Sequence, residues 1–376
     1  MTDFRISELT LRNFRNYEEF YLKDIGNLTI YIGKNGVGKT NVLEGIQLLT
    51  SCHSFRNAQA AQLVREGEEQ AFLHMLCGDG NRSISVDLQI EPGKKRYQVN
   101  GKAKAVADVK GMLPAVCFTP DDLSLVKRSS SVKRDMLDNL GNQLSRNYYI
   151  VQRDYEKILR YKNRLMKDES SLTLIQSAND TMVLCGVQLH CFRLSLFNRI
   201  LPLAQEYYAQ ISHSNEAFTA QYCPSWIRYG TQEEQQAFSL MEHEDVPSKT
   251  AVQEAMYSAL EKHLDEEMRR CRSLIGPHAD LITFFLGGKD ASQFASQGQQ
   301  RSIVLAWKLA EVETVNRSLG TKPVLLLDDV MSELDEARRE ELVGFMTDEI
   351  QTFITATDLS GFNENLISRA QIVRLP

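Results

Sequence analysis

No stretch constrains this chain more than Gly33-Lys34-Asn35-Gly36-Val37-Gly38-Lys39-Thr40, which matches the pattern G-x-x-x-x-G-K-[ST]. A glycine loop of this kind works in one local frame: a buried strand leads into it and a helix leaves it. Both flanks are legible. Leu28–Ile32 reads as a buried-type strand, and Thr40–Thr50 reads as a helix with Val42, Leu43, Ile46 and Leu49 on one face. The glycines let backbone N–H groups wrap phosphates, Lys39 adds a positive charge at the β and γ positions, and Thr40 offers a hydroxyl to Mg²⁺. The helix N-terminus points its partial positive charge at the same anion. Gly33 to Thr40, with Asn41 in the first helical turn, are therefore the candidate nucleotide-binding residues.

Val324-Leu325-Leu326-Leu327-Asp328-Asp329 is an apolar run ending in two carboxylates. A continuous apolar run fits a strand buried on both faces, and ligands in open α/β sheets sit at the carboxyl ends of strands. Asp328 is placed to hold Mg²⁺ opposite Thr40, and Asp329 to polarise an attacking water as general base. Lys39, Asp328 and Asp329 are the catalytic candidates, and Thr40 and Asp328 the metal candidates. A third element, Ser296-Gln297-Gly298-Gln299-Gln300, precedes a predicted helix over Gln299–Asn316. Serine, glycine and a helix N-terminus make an anion site. Alone, this stretch is a plain N-cap and turn. Its place 32 residues before Asp328, in a chain with one glycine loop, points to a phosphate contact made in another copy of the chain.

Glycine loop, S-x-G-Q and carboxylate strand, in that order, resemble the ATP-binding cassette superfamily. The resemblance implies that Ser296, Gly298 and Gln299 of one subunit meet the γ-phosphate of ATP held by the loop of another. Ser332-Glu333-Leu334-Asp335 then looks like the D-loop lining that seam. Thr357 stands where the superfamily usually has a switch histidine, and Gln70 is considered for the Q-loop. A finer resemblance, to the RecF family of the SMC-like branch, is carried by Leu11-Arg12-Asn13-Phe14-Arg15-Asn16-Tyr17, Val99-Asn100-Gly101 and Phe118-Thr119-Pro120-Asp121-Asp122-Leu123. Gly276-Pro277-His278, Phe294-Ala295-Ser296-Gln297-Gly298-Gln299-Gln300-Arg301 and Leu326-Leu327-Asp328-Asp329-Val330 complete it. Ala279 departs from the family, which generally has Arg after Gly-Pro-His.

That resemblance spans the chain and implies an ATP-dependent homodimer that binds duplex or gapped DNA, or a single-strand/duplex junction, and hydrolyses ATP slowly with DNA stimulation. It further implies work with RecR and RecO to help load RecA in DNA repair, recombination, replication and the SOS response, and nucleotide contacts from Arg12 and Asn13. Two other readings share the motifs. A transporter-type nucleotide-binding subunit lacks a helical insertion of this length, and a non-hydrolysing ATP-dependent scaffold is left open by Thr357.

Charge bears on the DNA expectation. The net charge of −6 gives no global basic field. Lys127–Lys167, however, holds eleven basic against four acidic residues, and Glu91–Lys110 six against two, whereas 231–268 holds ten acidic and two basic. A solvated helix face explains any one patch; two basic patches in an acidic protein fit phosphate-backbone contact. Seven scattered cysteines without a C-x-x-C pair read as free thiols rather than a zinc site. His53, His74, His190, His213, His243 and His263 read as structural or surface residues, and His278 as a turn residue. The N-terminus Met1-Thr2-Asp3-Phe4-Arg5 lacks a signal-peptide layout, and His190, Arg193 and Arg199 interrupt the apolar stretch Val183–Leu203. A soluble cytoplasmic protein with no membrane contact is expected.

The remaining pattern predicts an α/β ATPase head with a mixed sheet around one core, split around a helical arm: 1–126, then the arm 127–275, then 276–376. Ser7–Leu11 and 84–90 read as strands, and Tyr97-Gln98-Val99-Asn100-Gly101 as a hairpin. Leu137, Leu144, Val151, Ile158 and Leu165 recur every seven residues, predicting a helical stripe, with Tyr148 and Tyr155 on a neighbouring seam that Gly141 and Lys162 spoil. Leu172–Tyr208 is predicted helical until Pro202 kinks or breaks it. A β-like stretch over Phe218–Tyr229, a helix over Ala251–Leu274 and strands at Leu281–Leu286, Pro323–Leu327 and Phe353-Ile354 follow.

Overall fold

The computed structural model describes residues 4–212, 216–233, 235, 247–346 and 349–376. His213, His243 and part of the acidic stretch 231–268 lie outside the described residues. The chain forms two compact units, one of Met1–Ser124, Glu206–His213 and Gln297–Pro376, the other of Leu125–Gln205 and Ser214–Ser296.

In the first unit five strands run parallel, in the order Gln371–Arg374, Leu28–Ile32, Thr352–Ala356, Val324–Asp328, Ala115–Phe118. The last four are buried at every position, and their few polar residues, Thr29, Thr352, Thr355 and Asp328, are buried with them. Because all five point the same way, Gly33, Asp329 and Thr357 leave the sheet at one edge. A second sheet is antiparallel, in the order Tyr17–Lys23, Arg5–Phe14, Ala71–Gly78, Ser83–Glu91, Lys94–Val99, Lys102–Lys104. Parallel and antiparallel strands are both present, as anticipated, but sorted into separate sheets. One core joins them: Leu9, Leu11, Leu73 and Leu88 of the antiparallel sheet share a cluster with Val42 and Ile46 of the helix Lys39–Thr50 and with Leu326 and Phe353 of the parallel sheet. The predicted hairpin is a two-residue turn, with Asn100 (φ 49) and Gly101 (φ 72) joining the paired Val99 and Lys102.

The second unit holds the helices Ser130–Leu144, Arg146–Lys167, Lys249–Lys262 and Leu264–Arg270 and most of Leu172–Ser212. Its sheet is three-stranded and antiparallel, in the order Lys289–Asp290, Leu281–Leu286, Phe218–Cys223. The heptad-spaced stripe spans two helices, because Ser145 is extended (φ −148, ψ 122) and caps the second by accepting from the Tyr148 N–H. The packing also sits on the other seam. Tyr148, Tyr155 and Lys162 are buried, whereas Leu144, Val151 and Ile158 are only partly so. Gly141 makes room for a ring, since a Cβ there would lie 2.3 Å from Tyr148 Cε2. Lys162 is accommodated by a buried ion pair, with Nζ 2.6 Å from Glu267 Oε2.

Pro202 does not end its helix, which continues to Ser212, and the residue is exposed. The strand expected over Phe218–Tyr229 stops at Cys223, where Pro224 has no N–H for the ladder and Ser225–Arg228 turns helical. The helix expected over Ala251–Leu274 is two helices meeting at His263 and ends at Arg270, the second opened by Asp265, Glu266 and Glu267 in its first turn, where carboxylates suit the helix dipole. Leu281–Leu286 pairs with Phe218–Cys223, so this unit extends to Ser296. His278 is a packing residue: Tyr155 Oη lies 2.6 Å from its Nδ1 and Ser273 O 3.1 Å from its Nε2. Burial pushes its pKa down to about 4, so the neutral ring accepts from the tyrosine and donates to the carbonyl. Among the described residues no helix is long and apolar enough to cross a membrane.

Candidate nucleotide site

The loop 33–38 leaves the buried strand Leu28–Ile32 and enters the helix Lys39–Thr50. Gly36 (φ 88) and Gly38 (φ 110) take backbone conformations that L-residues avoid. At Gly38 space forbids a side chain as well, because a Cβ would lie 2.7 Å from the Asn16 amide and 2.8 Å from Tyr17 Oη. At Gly36 a Cβ would meet nothing within 4 Å, so the loop is open on that side. Lys39 Nζ donates to Gly33 O at 2.6 Å and Lys34 O at 3.1 Å while the residue is 6% exposed. A buried cation held by neutral carbonyls, at a helix N-terminus beside an open glycine loop, suits a triphosphate.

Beneath the loop, strand order brings distant residues together. Thr40 Oγ1 donates to Asp328 Oδ1 at 2.8 Å, across 288 residues. Thr355 Oγ1, at the end of the neighbouring strand, donates to the same oxygen at 2.8 Å and accepts from the Asp329 N–H at 2.8 Å. Burial pushes the Asp328 pKa up, and the hydroxyls of Thr355 and Thr40 pull it partly back. Asp329 adopts a left-handed backbone (φ 51), its carbonyl accepting from Ser332 Oγ at 2.8 Å.

Arg12 and Asn13 are placed elsewhere than the loop. Arg12 pairs with Glu19 (2.9 Å) on the outer face of the antiparallel sheet, and Asn13 Nδ2 donates to Glu68 Oε2 at 3.0 Å. The contact comes from the turn that follows, where Asn16 Nδ2 donates to Val37 O at 2.9 Å and Asn16 Oδ1 accepts from Asn41 Nδ2 at 2.7 Å. Arg15 (φ 55) grips the fully buried Glu44 of the loop helix through two bonds of 2.8 and 2.7 Å, and Arg56 donates to Asn41 Oδ1 at 2.8 Å. Asn16, Asn41, Arg15, Arg56 and Arg65 line a groove of about 650 Å³ beside the loop. Arg15 and Asn16 lie in the same motif as Arg12 and Asn13, but which end of it reaches the loop depends on where the strand ends at Phe14. Arg56, Glu44 and Thr355 carried no sequence signal.

Ser296 ends the second unit and Gln297 opens the helix Gln297–Leu319, which covers Gly298 and Gln299. Gly298 faces Arg338, whose Nη2 would be 3.3 Å from a Cβ there. Arg338 Nε donates to Ser302 Oγ at 2.8 Å and the same side chain pairs with Asp335, while Arg301 pairs with Glu333 at 3.2 Å. The serine-glycine helix is thus tied to the segment Ser332–Asp335. Thr357 is exposed, and Gln70 accepts from Gln89 Nε2 at 2.9 Å.

A family model described as RecF/RecN/SMC N terminal domain matches residues 5–371. The DNA replication and repair protein RecF of Picosynechococcus sp. is 32% identical over 384 aligned residues, which cover 98% of this chain and 94% of that protein. RecF of Staphylococcus aureus is 31% identical over 377, covering 99% and 98%. The solved structure of the recombination mediator protein RecF-ATP in the RecFOR pathway superposes with a TM-score of 0.85 at 27% identity, over 96% of this chain and 94% of that one. The Smc head domain with an extended coiled coil, bound to the C-terminal domain of ScpA and derived from Pyrococcus furiosus, has a TM-score of 0.52 at 14% identity over 99% and 93%, and shares the fold alone. With its glycine loop, paired carboxylates and serine-glycine helix in the places described, and relatives matched over nearly their whole length, this chain belongs to the RecF family.

Proposed function

We propose that this protein is an ATP-dependent, DNA-binding recombination mediator whose first unit is the ATPase head and whose second is the helical arm. One observation carries the reading: the Thr40 hydroxyl and the Asp328 carboxylate meet at 2.8 Å beneath an open glycine loop. Lys39 and the loop N–H groups bind the phosphates of ATP. Thr40 and Asp328 are the residues that would hold Mg²⁺; the cation, when bound, neutralises charge on the phosphate oxygens. Asp329, freed from the strand by its left-handed backbone, accepts a proton from the attacking water at its carboxylate. Ser296, Gly298 and Gln299 reach the phosphates of a second copy, so that ATP binds the dimer better than the monomer and thereby drives closure. Hydrolysis is slow and stimulated by DNA, and RecR and RecO are the expected protein partners.

Light-scattering mass measurements with and without ATP and Mg²⁺, repeated with duplex DNA, test this reading. The wild-type mass should double with nucleotide. Lys39→Ala should lose nucleotide binding and dimerisation together, and Ser296→Arg should keep nucleotide binding but remain monomeric. Normal dimerisation of Ser296→Arg would show that the triphosphate is not shared between copies. Asp329→Asn should slow turnover and prolong the dimer; a wild-type rate would remove its role as base.

A further inference from the structure

The helix Arg146–Lys167 carries a one-sided arrangement of charge. At 3.6 residues per turn, Arg146, Tyr149, Arg153, Lys157, Arg160, Arg164 and Lys167 fall within an arc of about 80°. They are the only positions of the helix in that arc, so six of its seven members are basic and none is acidic. All six cations are exposed, with side-chain exposures of 57%, 71% and 80% for Arg153, Arg160 and Arg164. The stripe runs about 31 Å along the axis. The carboxylates near it sit at its margins: Asp154 is 2.8 Å from Arg153, Glu156 3.8 Å from Arg160 and Asp168 3.5 Å from Arg164. Such exposed pairs are weak and screened by salt, so a phosphate can take the carboxylate's place.

An ordinary solvated helix face interleaves signs, because like charges three and four residues apart destabilise a helix. Here 153/157, 157/160, 160/164 and 164/167 are all such neighbours and all repel. A partner dense in negative charge relieves that repulsion. The chain as a whole carries 49 acidic against 43 basic residues, so a polyanion is repelled by the molecule at large and attracted where basic residues are concentrated. Duplex DNA carries one charge per about 1.7 Å of axis, so about 18 phosphates lie alongside a stripe of this length. We infer that the stripe Arg146–Lys167 is a phosphate-backbone contact of the second unit, reading charge and not sequence. This rests on the DNA-binding reading above and adds the face that makes the contact.

The test is the salt dependence of binding to a fluorescein-labelled duplex longer than the stripe, followed by anisotropy with ATP and Mg²⁺ between about 50 and 200 mM salt. The full-length variant Arg153→Gln/Lys157→Gln/Arg160→Gln/Arg164→Gln/Lys167→Gln should bind more weakly, with the slope of log K against log salt reduced by about 0.9 for each phosphate no longer neutralised, or about 4 to 5 in all. Arg160→Gln alone should lower it by about 0.9. The three arginines changed to lysine should keep the wild-type slope. Unchanged circular dichroism and melting show that the variants are folded. A wild-type slope in the five-site variant overturns the stripe while leaving DNA binding in place. A wild-type chain that binds no duplex overturns both readings, and loss of binding to an acidic polypeptide probe with the DNA slope intact assigns the stripe to a protein partner instead.

Discussion

Thr355 offers the sharpest test of the nucleotide site. Thr355→Val replaces a hydroxyl by a methyl of nearly the same size and removes two bonds at a residue of zero exposure: the one to Asp328 Oδ1 (2.8 Å) and the one from the Asp329 N–H (2.8 Å). A hydrogen bond to a charged acceptor contributes about 1.5 to 3 kcal/mol, and a buried N–H left unpaired costs about 1 to 3. The variant should therefore be destabilised by about 3 to 5 kcal/mol. Denaturant unfolding should show this as a lower midpoint with an unchanged m-value for the transition of the first unit. Thr355→Ser keeps the hydroxyl and should lose only about 1 kcal/mol for the missing methyl. Because the hydroxyl also aims the Asp328 carboxylate, the valine variant should need more Mg²⁺ for half-maximal ATP hydrolysis, and the serine variant should not. If valine and serine behaved alike, in stability and in Mg²⁺ demand, the hydroxyl would not be what holds these carboxylates.

Two further outcomes test the packing of each unit. Lys162→Met leaves Glu267, itself of zero exposure, without its cation, although Ser273 Oγ and the Leu274 N–H still donate to it at 3.0 and 2.7 Å. The expected cost is about 3 to 5 kcal/mol, most of it regained in Lys162→Met/Glu267→Leu; a double variant no more stable than the single one would show that the pair is not the unit of stability. In the first unit Glu311 is buried beside Lys308 (3.4 Å), which also faces Asp122 (3.7 Å), and burial pushes its pKa from 4.5 up to about 7. The folded state then holds a proton more tightly than the unfolded chain, so this group's contribution to stability falls as pH rises from 4.5 to about 7 and is constant above. Glu311→Gln should remove that slope, and melting curves of the two proteins that stay parallel across the window would contradict it.

The glycine loop and its flanks were legible because each is local: the turn needs its glycines, and a strand covered on both faces needs an unbroken apolar run. Asp328 and Asp329 were legible for the same reason. The neighbouring seam on the arm was not, since Gly141 and Lys162 look like faults until Tyr148 and Glu267 are seen to fill the positions opposite them. Arg12 and Asn13 pair with Glu19 and Glu68 while Asn16 of the same motif meets the loop, because sequence shows the motif but not where its strand stops. From composition and spacing alone the chain was committed to a strand-loop-helix cradle, a carboxylate-tipped strand and a serine-glycine turn. Tertiary structure alone decided that Thr355 joins Thr40 on one oxygen of Asp328 and that Asn16 braces the loop. Such contacts depend on the lateral order of strands and on the direction in which each side chain leaves its backbone, and neither is a property of any short stretch of residues.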